Sequence, residues 1–272
     1  RLRGKSSKGT ALYTDYSYEY SEIRFTTNNS PVDCTGDIRT LIDYENYANA
    51  NTTNARFCKL FLRNTELRTS PSLPAQSLAD YCYHAMFNGC SKLTTAPELP
   101  AESLANNCYE YMFSDCTALT TAPELRAETL AESCCLEMFS GCSKLTTAPA
   151  LPAQSLAKSC YQRMFKNCTS LTTAPTLPAG ILAEYCYQEM FSGCSKLSSV
   201  TMLAFDVSAE FCLDHWLFEA GTSVQESQKP TLYLYPSVYY EYVDNKEFDE
   251  WAPKYQIYGN WVVQPQPQPY SE

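Results

Sequence analysis

Fourteen cysteines are the first residues in this 272-residue sequence whose type and spacing could do chemistry, as disulfides, metal ligands or reactive thiols. Most fall into two columns eight residues apart that recur every 26 residues: Cys82, Cys108, Cys134, Cys160, Cys186 and Cys212, and then Cys90, Cys116, Cys142, Cys168 and Cys194. Zinc sites need closely spaced Cys pairs or Cys mixed with His. Only His84 and His215 exist, and the positions that match His84 are Glu110, Leu136, Gln162 and Gln188, so no metal is expected. Equivalent residues of stacked strands lie about 4.8 Å apart, whereas a disulfide wants Cβ atoms about 3.8 Å apart. Ladders of buried thiols are therefore expected ahead of disulfides along a column, while a bridge within a unit, such as Cys82 to Cys90, stays open. The second column continues backwards to Asn64, and Cys or Asn at one position suits a buried side chain that meets the backbone of a turn. Cys135 stands in a column otherwise filled by Tyr83, Tyr109, Tyr161 and Tyr187, either as an exposed reactive thiol or as a simple substitution.

The tyrosine column offers large rings with one polar handle, which suits a sugar- or protein-binding stripe. Its place directly after a core cysteine suits packing equally well. The carboxylate pairs Glu98 with Glu102 and Glu124 with Glu128 have acid and base chemistry available, but Ala150, Gln154, Thr176 and Gly180 occupy the matching positions, so a solvated edge is expected. No GxSxG, HExxH, Walker loop or GxGxxG occurs, and nine glycines leave little material for a phosphate cradle. Neither an enzyme nor a cofactor is expected. A formal charge of −10 disfavours nucleic acid, which needs clustered cations. No run approaches the roughly 18 apolar residues of a membrane span. The sequence begins at Arg1 without Met or a signal peptide, so a processed product or a piece of something longer is expected, with room for surface anchoring through a preceding region.

The elements that must position these residues come from the repeat. In LTTAPELPAESLANNCYEYMFSDCTA every position returns after 26 residues. One Leu column runs Leu67, Leu93, Leu119, Leu145, Leu171 and Leu197. A Met-Phe pair recurs from Met86 and Phe87 to Met190 and Phe191, and Trp216 and Leu217 close the series. Leu104, Cys108, Met112 and Cys116 fall at successive steps of four, which predicts one face of a short amphipathic helix. LTTAPELP reads as a short strand ended by proline. One strand and one helix per unit cannot bury both faces alone, so about six units should stack into a right-handed leucine-rich-repeat solenoid, an α/β repeat fold. Caps are expected at both ends. Residues 1–50 hold period-two strands from residue 11 and a helical GDIRTLIDYENYA. Residues 51–220 hold the repeats, starting from a degenerate unit in which Phe61 matches Phe87. Residues 221–272 give a strand at TLYLY, a helix over SVYYEYVDNKEFDEWA with Tyr239, Tyr242 and Trp251 inward, a last strand at YQIYGNWVV and a polyproline-like tail.

The LPAxxLAxxCYxxMFxxCxxLTTAP unit resembles the BspA-like leucine-rich repeats of surface proteins from gut and oral bacteria and of related phage-encoded proteins. The resemblance covers about residues 37 to 262, and includes GDIRTLID and the LYLYPSVYYEY to WAPKYQIYG ending. It implies a secreted or surface-anchored, non-enzymatic protein, in some members an adhesin, and carries over no binding residues. The chain departs from the family's commoner form with Ala96, Ala122, Ala148 and Ala174 where a larger β-branched residue is usual. Solenoids vary the exposed face and keep the core, so recognition is expected at Asp80, Asn106, Glu132, Lys158 and Glu184 on the helix side, and at Glu98, Glu124, Ala150, Thr176 and Met202 after the strand. The acids gather toward the first units. The expected function is an extracellular or bacterial cell-surface binding and adhesion module for a protein or glycan partner, the alternative being a spacer or subunit of a larger surface or virion assembly.

Overall fold

The computed structural model describes residues 3–14, 17–25, 30–245, 257, 259 and 261–267. It is a mixed α/β fold in which strands form at the alternating N-terminal segment and at one of the four LTTAP segments, that of Leu171, while those of Leu93, Leu119 and Leu145, expected as strands, carry isolated bridges. Strands β1 (Ala11–Thr14) and β2 (Ser17–Tyr20) form the expected antiparallel hairpin. Strand β3 (Val32–Asp33) pairs in parallel with β4 (Leu67–Thr69). Strands β5 (Thr173–Leu177), β6 (Ser199–Met202), β7 (Thr231–Leu234) and β8 (Val262–Pro265) make a four-stranded parallel sheet in that order. Between β4 and β5 the repeats touch through single parallel bridges, among them Thr69 to Thr95, Thr121 to Thr147 and Leu99 to Leu125. Proline explains this thinness: it occupies each LTTAP segment and cannot donate to a ladder. LSSVTML has no proline, and there β6 pairs with β7 at four consecutive residues.

The expected helix in each unit is not formed. Among the described residues the one α-helix is α1 (Pro236–Asn245), in the C-terminal region. The CYxxMFxxC segments are instead chains of four-residue turns, with left-handed backbone at every fourth residue, as at Asn107 (φ 55°), Tyr111 (φ 55°) and Asp115 (φ 59°). Alternate amides face two ways. Met112 N–H donates to Tyr109 O within the unit at 3.1 Å, while Phe113 N–H donates to Met138 O of the next unit at 2.9 Å. Bonds of the second kind join residue i to residue i+25 through every unit from Phe57 to Gly193. Hydrogen bonds to the neighbour thus replace the i to i−4 bonds of a helix. The steps of four do set one buried face, because each four-residue turn repeats the same backbone conformation and so returns its side chains to the same side.

The columns make the core. Leu67, Leu93, Leu119, Leu145, Leu171 and Leu197 are all fully buried, as are the Met-Phe pairs and Trp216 with Leu217. Phe61, Phe87, Phe113, Phe139, Phe165 and Phe191 stack in one line, with neighbouring centroids 5.5 to 5.7 Å apart. At the N-terminal end the segment around Ile23 closes the first unit, with Ile23 N–H on Leu60 O at 2.7 Å and Asn64 Nδ2 on Ile23 O at 3.0 Å. GDIRTLIDYENYA, read as helical, forms two 3-10 turns, Ile38–Leu41 and Tyr47–Asn49. The C-terminal helix covers SVYYEYVDN of the expected SVYYEYVDNKEFDEWA among the described residues, and Tyr239 and Tyr242 pack on the core as expected. Trp251, the rest of that helix and much of YQIYGNWVV lie outside the described residues. No helix among the described residues is long and apolar enough to cross a membrane.

Candidate interaction surface

The residues with the most reactive chemistry lie inside. All fourteen cysteines are free thiols, and all but the half-buried Cys34 are buried. The second cysteine column is built as its Asn64 member suggests. Cys90, Cys116, Cys142, Cys168 and Cys194 each donate Sγ–H to the carbonyl of a phenylalanine in the preceding unit, at 3.0 to 3.1 Å. Asn64 uses its amide in the same way toward Ile23. Burial pushes the Cys82, Cys90 and Cys194 thiols up to about 12, so they stay protonated near neutral pH. Cys135 is fully buried and not the exposed thiol its outlying position allowed. The tyrosine column is core as well: Phe57, Tyr83 and Tyr109 stack at 6.0 and 6.2 Å, and Tyr161 and Tyr187 at 6.3 Å, with Cys135 between the two runs. Among the described residues no group of three or more His, Cys, Asp and Glu could hold a metal.

The variable residues of the turn side stay outside but bind one another. Asp80 Oδ1 accepts from the Asn106 amide at 3.0 Å, and Asn106 Oδ1 from the Glu132 amide at 3.2 Å. Lys158 pairs with Glu184 at 3.0 Å. One column along, Arg163 joins Glu137 at 3.3 Å and Glu189 at 2.6 Å, and Lys166 also reaches Glu189. Burial raises the Glu189 carboxyl, but hydrogen bonds from Lys166 and Arg163 outweigh it and hold the group below the usual carboxylate range. These side chains link neighbouring units, so the expected turn-side recognition residues are largely spent on stacking.

The strand side, where Arg68 pairs with Asp33 and Arg126 with Glu124, is grooved. Open furrows lie where successive APxLP corners meet. One of about 560 Å³ is walled by Pro71, Pro74, Pro97 and Pro100, one of about 200 Å³ by Pro97, Pro123 and Arg126, and one of about 370 Å³ by Pro149's neighbours Ala148 and Ala150 with Pro175 and Pro178. Glu98 and Glu124 are exposed on these walls, as expected. Met202 is not. It is fully buried and pairs with Leu177, because a register shift between β5 and β6 leaves LSSVTML one residue short of LTTAPTLP. Thr201 takes the outer place beside Thr176. Sequence reasoning missed Arg126, which bonds Glu124 at 2.9 Å and replaces the proline of Pro74, Pro100, Pro152 and Pro178. That single break in a proline column was the available signal.

Comparison of the chain with protein-family models, characterised proteins and solved structures finds no match in any of the three.

Proposed function

We propose that the chain is a right-handed stack of 26-residue leucine-rich units of the BspA-like kind, acting at a bacterial surface as a non-enzymatic binding module for a protein or glycan partner. Parallel strands joined by crossovers are right-handed in nearly all folds, which supports the handedness. The observation that carries the function is the row of open, proline-walled furrows on the strand side, repeated on a rigid backbone ladder. Burial of the thiols and tyrosines supports binding over catalysis, since those groups cannot meet a substrate. The test is capture of host-matrix proteins and arrayed glycans by the intact chain, beside a chain with Ala148→Arg and Ala174→Arg in the furrows. Capture by the parent and its loss in the variant is the expected result, and uniformly negative arrays would remove the reading.

A second reading, as a spacer or subunit of a larger surface or virion assembly, draws support from Phe211, Phe218, Tyr240 and Val243, all exposed near the C-terminal end. Self-association or complex formation lost on Phe211→Ser and Phe218→Ser would favour it.

A further inference from the structure

The three furrows and the two columns beside them, together called the trough, change in chemistry along the stack. Two columns flank its proline wall. The first runs Ser72, Glu98, Glu124, Ala150, Thr176 and, after the register shift, Thr201. The second runs Gln76, Glu102, Glu128, Gln154 and Gly180, and it ends at Phe205, whose amide bonds Gly180 O at 2.9 Å. Both columns are acidic in the same two units. Glu128 N–H donates to Glu102 O at 3.1 Å, which places those carboxylates in adjacent units. Arg126 stands on this stretch of wall, bonded to Glu124 and in the field of Glu98 and Glu102.

The other end is apolar. Ile181 is 58% exposed and Phe205 53%, and Phe205 meets Tyr235 edge-on at 5.8 Å. Gly180 leaves room for this ring, since a Cβ there would lie 2.5 Å from Phe205 Cε1. Ile181, Phe205 and Tyr235 thus leave neighbouring apolar side chains exposed at this end of the stack. The furrows of the acidic units present prolines, alanines and threonines and no aromatic ring, so the stacking platform that a sugar needs is missing there.

We infer that the trough receives an extended polypeptide segment of a partner, with Lys or Arg over the units of Glu98 and Glu124 and an apolar side chain against Ile181 and Phe205. This rests on the binding-module reading. Four unit steps separate Glu102 from Phe205, about 19 Å at roughly 4.8 Å per step. An extended chain rises about 3.3 Å per residue, so the cationic and apolar anchors stand about six residues apart in the partner. Charge sets direction and encounter rate, and the apolar end sets residence.

The test uses the whole chain and a fluorescent octapeptide, Lys-Arg-Thr-Ser-Thr-Ser-Leu-Phe, together with its reversed sequence. Two controls replace either the cations or the Leu-Phe pair by serine. One direction should bind about tenfold or more tighter than both controls at low ionic strength and weaken with salt. The double variant Glu98→Gln, Glu102→Gln should fall to the level of the cation-free control, and Phe205→Ser to that of the Leu-Phe-free control, with unchanged thermal melting. Equal binding of all peptides, or variants that bind like the parent, would overturn the inference. Matrix-protein capture that survives both variants would sink the trough and keep the binding module. Glycan capture lost in the variants, without peptide binding, would replace the peptide by a sugar. Failure of every array would sink both.

Discussion

Ser133 offers a change whose sign separates turns from helices. Its φ is 53°, left-handed, and its neighbour Glu132 does not share that conformation. An L-residue in the left-handed region costs roughly 1–2 kcal/mol, which glycine does not incur. Glycine loses about 0.5–1 kcal/mol more chain entropy than alanine on folding. The Ala-to-Gly step at position 133 should therefore stabilise by about 0.5–1 kcal/mol. At position 132 the same step should destabilise by about 0.5–1 kcal/mol. In a helix both steps would cost about 1 kcal/mol. Four variants, Ser133→Ala, Ser133→Gly, Glu132→Ala and Glu132→Gly, cancel the side-chain contributions when compared in pairs. Denaturant unfolding reads the result as opposite shifts of the midpoint at constant slope. Loss of stability from alanine to glycine at both positions would refute the turn geometry.

Thiol counting should find fourteen free thiols in denaturant without reductant, and under native conditions little rapid modification beyond Cys34; ten or more cysteines in bridges would contradict the thiol ladder. Phe139→Leu, between rings at 5.6 and 5.7 Å, should cost about 1 kcal/mol or more by chemical denaturation, since stacking is lost on both sides. A neutral outcome would mean the column is not packed as described. Stability should fall as acid is added, because the folded Glu189 carboxyl binds its proton less readily than the unfolded one. That contribution is present above the ordinary carboxylate range and is lost as the pH falls through and below that range. Glu189→Gln should flatten this part of the melting-temperature profile, and an unchanged slope would argue against the Lys166 and Arg163 pairing.

The columns were legible because stacking repeats the environment: one position must hold the same kind of group in each unit, and Asn64 beside the cysteines revealed the hydrogen bond to the neighbouring backbone. The strand and turn sides could likewise be told apart. The helix misread came from the period. Leu104, Cys108, Met112 and Cys116 repeat at four, whereas an α-helix turns about 100° per residue and drifts some 40° at each such step. A strict four-residue period over three steps was the warning. Met202 was misplaced because counting by 26 ignores the residue missing between Leu197 and Leu203. The turn-side charges were visible as variable, but variability does not distinguish a side chain that meets a partner from one that caps the next unit, as Asp80 and Asn106 do. The trough depends on how prolines of adjacent units face each other, which no single unit contains.

The turn segments are joined to their neighbours by backbone bonds in place of helical ones. Scalar couplings across hydrogen bonds, measured by NMR on the deuterated chain, test it directly. Phe113 N–H should couple to the Met138 carbonyl, and Tyr109 N–H to that of Cys134. Couplings from these amides to carbonyls four residues earlier, with helical carbon shifts at Tyr111 and Asp115, would contradict it.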